Sequence, residues 1–173
     1  MGEFKGQIYL IDILVSLLVM SIVVALAVSF SAVEVKNSED TTLRNDMLTS
    51  GLSGIELLIG SPGVPSDWEG GGGLAAGVSS IGLAKRIGGV TYRNDLDTAK
   101  LDAFVAMPYN ASKAMMGMGG SSDYYFTITD GNGALLASKG TDAPEAGNVY
   151  AFTRYCTWNG TSVIVGLKVY GIY

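Results

Sequence analysis

The chain opens on an unbroken apolar run and closes on short alternating stretches. From Ile13 to Val33 no charged residue appears; Asp12 stands just before this run and Glu34 just after it. At 1.5 Å per residue the run spans roughly 31 Å, about one bilayer core. Residues 34–42 turn polar, with no Pro or Gly to stop a helix. Beyond them Leu48, Leu52, Ile55 and Ile59 recur at helical spacing, with Leu58 beside Ile55. The pattern predicts a single helix from about Ile8 to Ile59. Its first half is apolar all round, and its second half is amphipathic and packs on a head domain. Gly51 and Gly54 are expected to soften or bend it. Gly60-Ser-Pro62-Gly63-Val-Pro65 ends it.

The C-terminal half reads as β. A short helix is expected over residues 96–107, opened by Asp95 or Asp97. Tyr124–Thr129 alternates as a strand, turns at Asp130-Gly-Asn-Gly133 and returns over Ala134–Ser138. Val149–Thr157 and Ser162–Tyr173 read as two more strands around the turn pair Asn159-Gly160. Val163, Val165, Leu167 and Val169 share the face expected to cover the helix. The predicted fold is α+β: a long N-terminal helix on a small, four-stranded antiparallel meander.

Composition narrows the function. The chain has 173 residues, a net charge of −5, no histidine and one cysteine. No basic stripe is present to neutralise phosphates, which argues against nucleic acid. The absence of histidine removes the commonest general base and metal ligand. Acids are scattered rather than paired, so no catalytic dyad, metal site or cofactor is assigned and no enzyme is expected. Cys156, lacking a partner, reads as a small buried hydrophobe.

The apolar run should insert in a membrane. Its aliphatic and Phe residues contribute roughly −4 to −8 kcal/mol, against about 3 kcal/mol for Asp12 at mid-membrane. A removed secretory signal fits poorly. Ala25-x-Ala27 lies inside the run, so cutting there would leave hydrophobic residues on the mature chain. A plain signal anchor is the simple alternative, with Lys5 as the only basic residue ahead of the helix.

The chain begins Met1-Gly-Glu-Phe-Lys5-Gly6-Gln7-Ile-Tyr-Leu-Ile-Asp12. A Lys-Gly-Gln junction directly before an apolar run with an early acid resembles the class III signal peptide of archaeal type IV pilin-like proteins. The resemblance implies that a prepilin-type peptidase cuts between Gly6 and Gln7 on the cytoplasmic side. Lys5 is then the basic residue before the cut, and the helix stays on the mature protein. The family's glutamate at the fifth mature residue corresponds to Ile11. Here the acid is Asp12, displaced by about 100° around the helix. The implied domains are a leader over 1–6, a membrane or filament-core helix over 7–33 and an extracellular pilin-like head over 34–173. The implied partners are other pilins, the peptidase, and membrane lipid before assembly. Ser21, Ala25, Ser29 and Ala32 recur at helical spacing and would let helices approach closely.

A second, looser resemblance to archaeal class III signal proteins lies in Pro62-Gly-Val-Pro65-Ser-Asp-Trp68 followed by Gly82-Leu83-Ala84. The two prolines set an extended turn, and Trp68 is expected to lie as a lid on the core edge. The glycines at 70–73 lack the ending of a phosphate loop and read as a flexible surface loop.

Among smaller signals, Asn110-Ala-Ser112 and Asn159-Gly-Thr161 are N-glycosylation sequons expected in exposed loops. Asp130-Gly-Asn-Gly133 lacks the distal acids of a calcium loop and reads as a turn. Met115, Met116 and Met118 are expected in a mobile loop or a subunit contact. The chain thus reads as a structural pilin or minor pilin of a surface filament. The alternative is an uncleaved, membrane-anchored extracellular binding module.

Overall fold

The computed structural model describes the backbone of residues 3–71, 77–144 and 148–171, and the side chains of 11–31, 41–70, 77–144 and 148–171. The chain divides into two units, Met1–Thr42 and Leu43–Tyr173. The first helix, α1, runs Glu3–Gly60. It passes unbroken through Gly51 and Gly54, neither of which bends it, and Gly51 is a point of close approach. A Cβ on Gly51 would fall 2.2 Å from the Phe152 ring, and one on Gly54 would lie 3.5 Å from Met118.

The second unit is α+β. After a 3₁₀ turn at Trp68–Gly71 come β1 (Ala84–Ile87), β2 (Val90–Leu96), α2 (Thr98–Ala106) and α3 (Tyr109–Met115). Then follow β3 (Ser122–Thr129), β4 (Leu135–Gly140), β5 (Val149–Trp158) and β6 (Thr161–Gly171). The six strands form one sheet in the order β1-β2-β5-β6-β3-β4. Two expectations are corrected here. The sheet is mixed, because β2 meets β5 in parallel, through Asp95–Thr157 and Leu96–Trp158. It is also no meander, because β6 pairs antiparallel with both β5 and β3. The reason lies in β6 itself. Val163, Val165, Leu167 and Val169 are all buried, and the strand with the most continuous apolar face takes the centre of the sheet.

The turns follow their residues. Asp130 Oδ1 accepts from the amides of Asn132 and Ala134 at 2.9 and 2.8 Å, which closes the β3–β4 turn. Asn159 and Gly160 hold φ of 51° and 77° between β5 and β6, as a two-residue hairpin turn requires. Asp97 caps α2 by accepting from the amides of Ala99 and Lys100. At the other end of α2, Lys139 Nζ donates to the carbonyls of Val105 and Met107 and lies 5.3 Å from the Phe104 ring centre. A cation there offsets the helix dipole.

The end of α1 is fastened by the two segments that stood out in the sequence. Gly63 adopts φ of +87°. Trp68 is 1% exposed, so it is an interior residue rather than a lid, and its Nε1 donates to Gly82 O at 3.0 Å. The Leu83 amide donates to Leu58 O at 2.6 Å, and the Ala84 amide to Ser61 O at 3.0 Å. Lys100, 2% exposed, donates Nζ to Pro62 O and Ala84 O at 2.7 and 3.2 Å. Burial holds this ammonium below the usual lysine range. Two last-turn carbonyls of α1, Leu57 and Leu58, thus find donors in Ser61 N and Leu83 N, and the carbonyls just past the helix, Ser61 and Pro62, find theirs in Ala84 N and Lys100 Nζ.

On α1 the buried face is Met47, Gly51, Gly54, Ile55, Leu58 and Ile59. Leu48 and Leu52, expected on that face, are 40% and 47% exposed. The small residues at 51 and 54 draw the sheet to their own side of the helix and turn these leucines off the core.

The fastening makes a prediction. A Cβ on Gly82 would fall 2.1 Å from Ser61 O, a backbone atom that cannot move aside. Gly82→Ala should lower stability by about 3 kcal/mol or more. Gly131→Ala, with nothing within 4 Å, should stay within about 0.5 kcal/mol. Thermal unfolding of the full chain in detergent, followed by near-ultraviolet circular dichroism, distinguishes the two variants.

Candidate functional site

The apolar helix is the first candidate. Ile11–Ser31 has mean hydropathy 2.8, and none of it is buried by the rest of the chain. By length and composition it is apolar enough to cross a membrane. Three of its four serine hydroxyls bond back to the helix: Ser21 donates to Leu18 O at 2.8 Å, Ser29 to Ala25 O at 2.9 Å and Ser31 to Ala27 O at 2.9 Å. Such back-bonding removes most of the cost of placing serine in hydrocarbon. Asp12 lies on this helix and is exposed. Lys5, Gly6 and Gln7 fall on the helical backbone, and their side chains lie outside the described residues.

In the second unit, the wide groove beside Met47 has a volume of about 480 Å³. Leu43, Met47 and Ser50 of α1 form one wall, and Met116, Gly117 and Ser122 the other. No acid–base pair lines it. Among the described residues no group of three or more acids and cysteines could hold a metal ion. Met116 and Met118, 3% and 6% exposed, belong to the core, which corrects their reading as a loop or contact. They fill the space opposite Gly54, a use suited to an unbranched thioether side chain.

The polar cluster around Asp123 is structural. Asp123 accepts from the Tyr109 hydroxyl and, at 3.2 Å, from Lys113 Nζ. The Tyr109 and Tyr124 rings stack with centres 5.0 Å apart, and the Tyr124 hydroxyl meets Ser112 Oγ at 2.6 Å. Burial pushes the Tyr124 phenol up to about 12 and raises that of Tyr109 as well. These contacts staple α3 to β3 and leave no free base.

That staple separates the two sequons. Asn110 lies on α3 rather than in a loop, and its partner Ser112 is fully buried, with Oγ also donating to Tyr109 O at 2.7 Å. Asn159 sits on the exposed β5–β6 turn, with Thr161 exposed two residues on. Its Oδ1 accepts from Thr98 Oγ1 at 3.0 Å, which in turn accepts from Trp158 Nε1 at 3.1 Å. Only Asn159 offers both asparagine and hydroxyl at the surface. Sequence spacing carries no signal for this difference, because both sequons match equally. Of the glycines at 70–73, the first two end the 3₁₀ turn and the others lie outside the described residues.

Cys156 is buried and free, as expected of a small hydrophobe. Burial pushes its thiol from 9.0 up to about 11. At pH 8 the thiolate fraction should therefore fall about a hundredfold below that of an unperturbed cysteine. Thiol labelling should be slow in the native chain and rapid in denaturant; rapid native labelling would contradict the burial.

No known family model, curated protein or solved structure matches this chain, so its function rests on the geometry above.

Proposed function

We propose that the chain is a structural subunit, a pilin or minor pilin, of an archaeal type IV pilus-like surface filament. The observation that carries this reading is an uncovered apolar helix, Ile11–Ser31, directly preceded by the Lys5-Gly6-Gln7 junction. The helix first holds the chain in the membrane, with the head outside the cell. A prepilin-type peptidase cuts after Gly6. The same apolar surface then leaves lipid and packs against the helices of other subunits. Both environments reward an apolar surface on every side, so one helix serves both. Asp12 is the acid available to meet a neighbour's new terminal amine. Asn159 is the sequon open to glycosylation. The head performs no chemistry.

A second reading is an uncleaved anchor carrying a binding module, and the groove of about 480 Å³ beside Met47 favours it. Intact mass and N-terminal sequencing of the native protein separate the two. The filament reading expects Gln7 as the first residue, filaments by electron microscopy, and retention of the leader in Gly6→Val. A mature chain that begins at Met1 or Gly2 and forms no filaments would select the anchor.

A further inference from the structure

The sheet stops short over α1. β2 meets β5 only at Asp95–Thr157 and Leu96–Trp158. Its earlier residues pair with β1 instead, after a register shift between Ala84 and Lys85. Asn94 holds a positive φ of 62° inside this irregular stretch, and the β1–β2 hairpin diverges from β5 there. From Val149 to Cys156, β5 therefore has β6 on one side and no strand on the other among the described residues.

α1 runs beneath this open edge. Arg44 Nε donates to the Tyr150 hydroxyl at 3.0 Å, Gly51 faces the Phe152 ring, and Glu56 accepts from Arg154 at 2.9 Å. These three contacts follow β5 in step. Leu48 and Leu52 lie between Arg44 and Glu56 on the helix, and both are largely exposed. Their spacing continues the amphipathic pattern, yet no strand covers them. They are the floor that one further strand would bury.

The charges beside this gap favour an acid. Three of the four arginines of the chain, Arg44, Arg93 and Arg154, stand here. Arg154 and Arg93 share Glu56, at 2.9 and 3.9 Å, and Arg93 stays 70% exposed. Among the described residues of α1 from Arg44 to Glu56, β2 and β5, the other acids are Asp95, at the closed end where β2 joins β5, and Asp46, which lines the groove beside Met47 instead. Cations are thus in excess locally on a chain of net charge −5.

We infer that the open edge of β5, floored by Leu48 and Leu52, takes an extended acidic segment of a partner protein as an added strand. Backbone amides and carbonyls of the guest complete the ladder of β5. Its apolar side chains cover the two leucines, and its carboxylates pair with Arg44 and Arg93, since guanidinium offers a planar fork to a carboxylate. This site lies in the second unit and stands whether or not the filament reading holds.

The test uses the full chain in detergent and two short synthetic peptides. One alternates valine with glutamate, and the other alternates valine with lysine. The acidic peptide should bind, should slow hydrogen exchange at the amides of Val149–Thr153, and should bind at least about tenfold more tightly than its basic counterpart. Leu52→Glu and Arg44→Glu should each weaken it about tenfold. Both residues are exposed, so the near-ultraviolet signal of Trp68 should persist and verify folding. Equal binding of the two peptides, no binding, or unchanged exchange along β5 would overturn the proposal. Amides of β5 already protected in a dimer, and freed by Leu52→Glu, would also overturn it, in favour of a second copy as the occupant.

Discussion

Everything in this protein is organised around an apolar surface that the chain does not cover. Each large apolar side chain from Ile11 to Phe30 is more than half exposed. At roughly 25 cal/mol per Å² of apolar area, such a surface cannot remain in water. Lipid or other protein must cover it. The serines do little to relieve this demand, because the hydroxyls of Ser21, Ser29 and Ser31 turn back to their own helix. A helix satisfied in its backbone and in most of its hydroxyls is fitted to any apolar surroundings and specific to none. That is the property a subunit needs if it moves from a membrane into a packed bundle.

The second unit meets the opposite demand by closing on itself. The fastening around Gly63, Trp68, Gly82 and Lys100 satisfies the Leu58 carbonyl and those of Ser61 and Pro62 just past α1, and ties the helix end to the sheet. The indole donor and the ammonium donor each find a carbonyl, so the interior there is polar yet almost fully paired. The Asp123 cluster does the same for α3. What remains open is local: the groove beside Met47 and the uncovered edge of β5.

Much of this was legible in the chain. The apolar run, the end of α1 at the Pro-Gly-rich segment, an aspartate cap on α2 at Asp95 or Asp97 and the four strands from β3 to β6 follow from periodicity and turn residues; that the cap is Asp97 required the fold. The strand order was not legible, because it depends on which strand buries the most continuous face, a comparison across the whole sheet. Neither was the parallel β2–β5 contact, which joins strands more than fifty residues apart through only Asp95–Thr157 and Leu96–Trp158. Leu48 and Leu52 are informative: their spacing predicts burial, and nothing among the described residues buries them. The sequence places Trp68 as a lid; its position in the interior, with the indole donating to the Gly82 carbonyl fourteen residues away, required the fold. The sequons matched equally by spacing, and only the burial of Ser112 distinguished them.

The central claim is a division of labour between an apolar helix that needs outside cover along its whole length and a second unit that closes its own core, leaving only a local edge open. Expressing residues 43–173 alone, beside the full chain, and measuring molecular mass in water without detergent tests it most directly. The account predicts a folded, monodisperse head that retains the near-ultraviolet signal of Trp68, while the full chain requires detergent or assembles. An aggregated or unfolded head, or a full chain that stays monomeric in water, would contradict it.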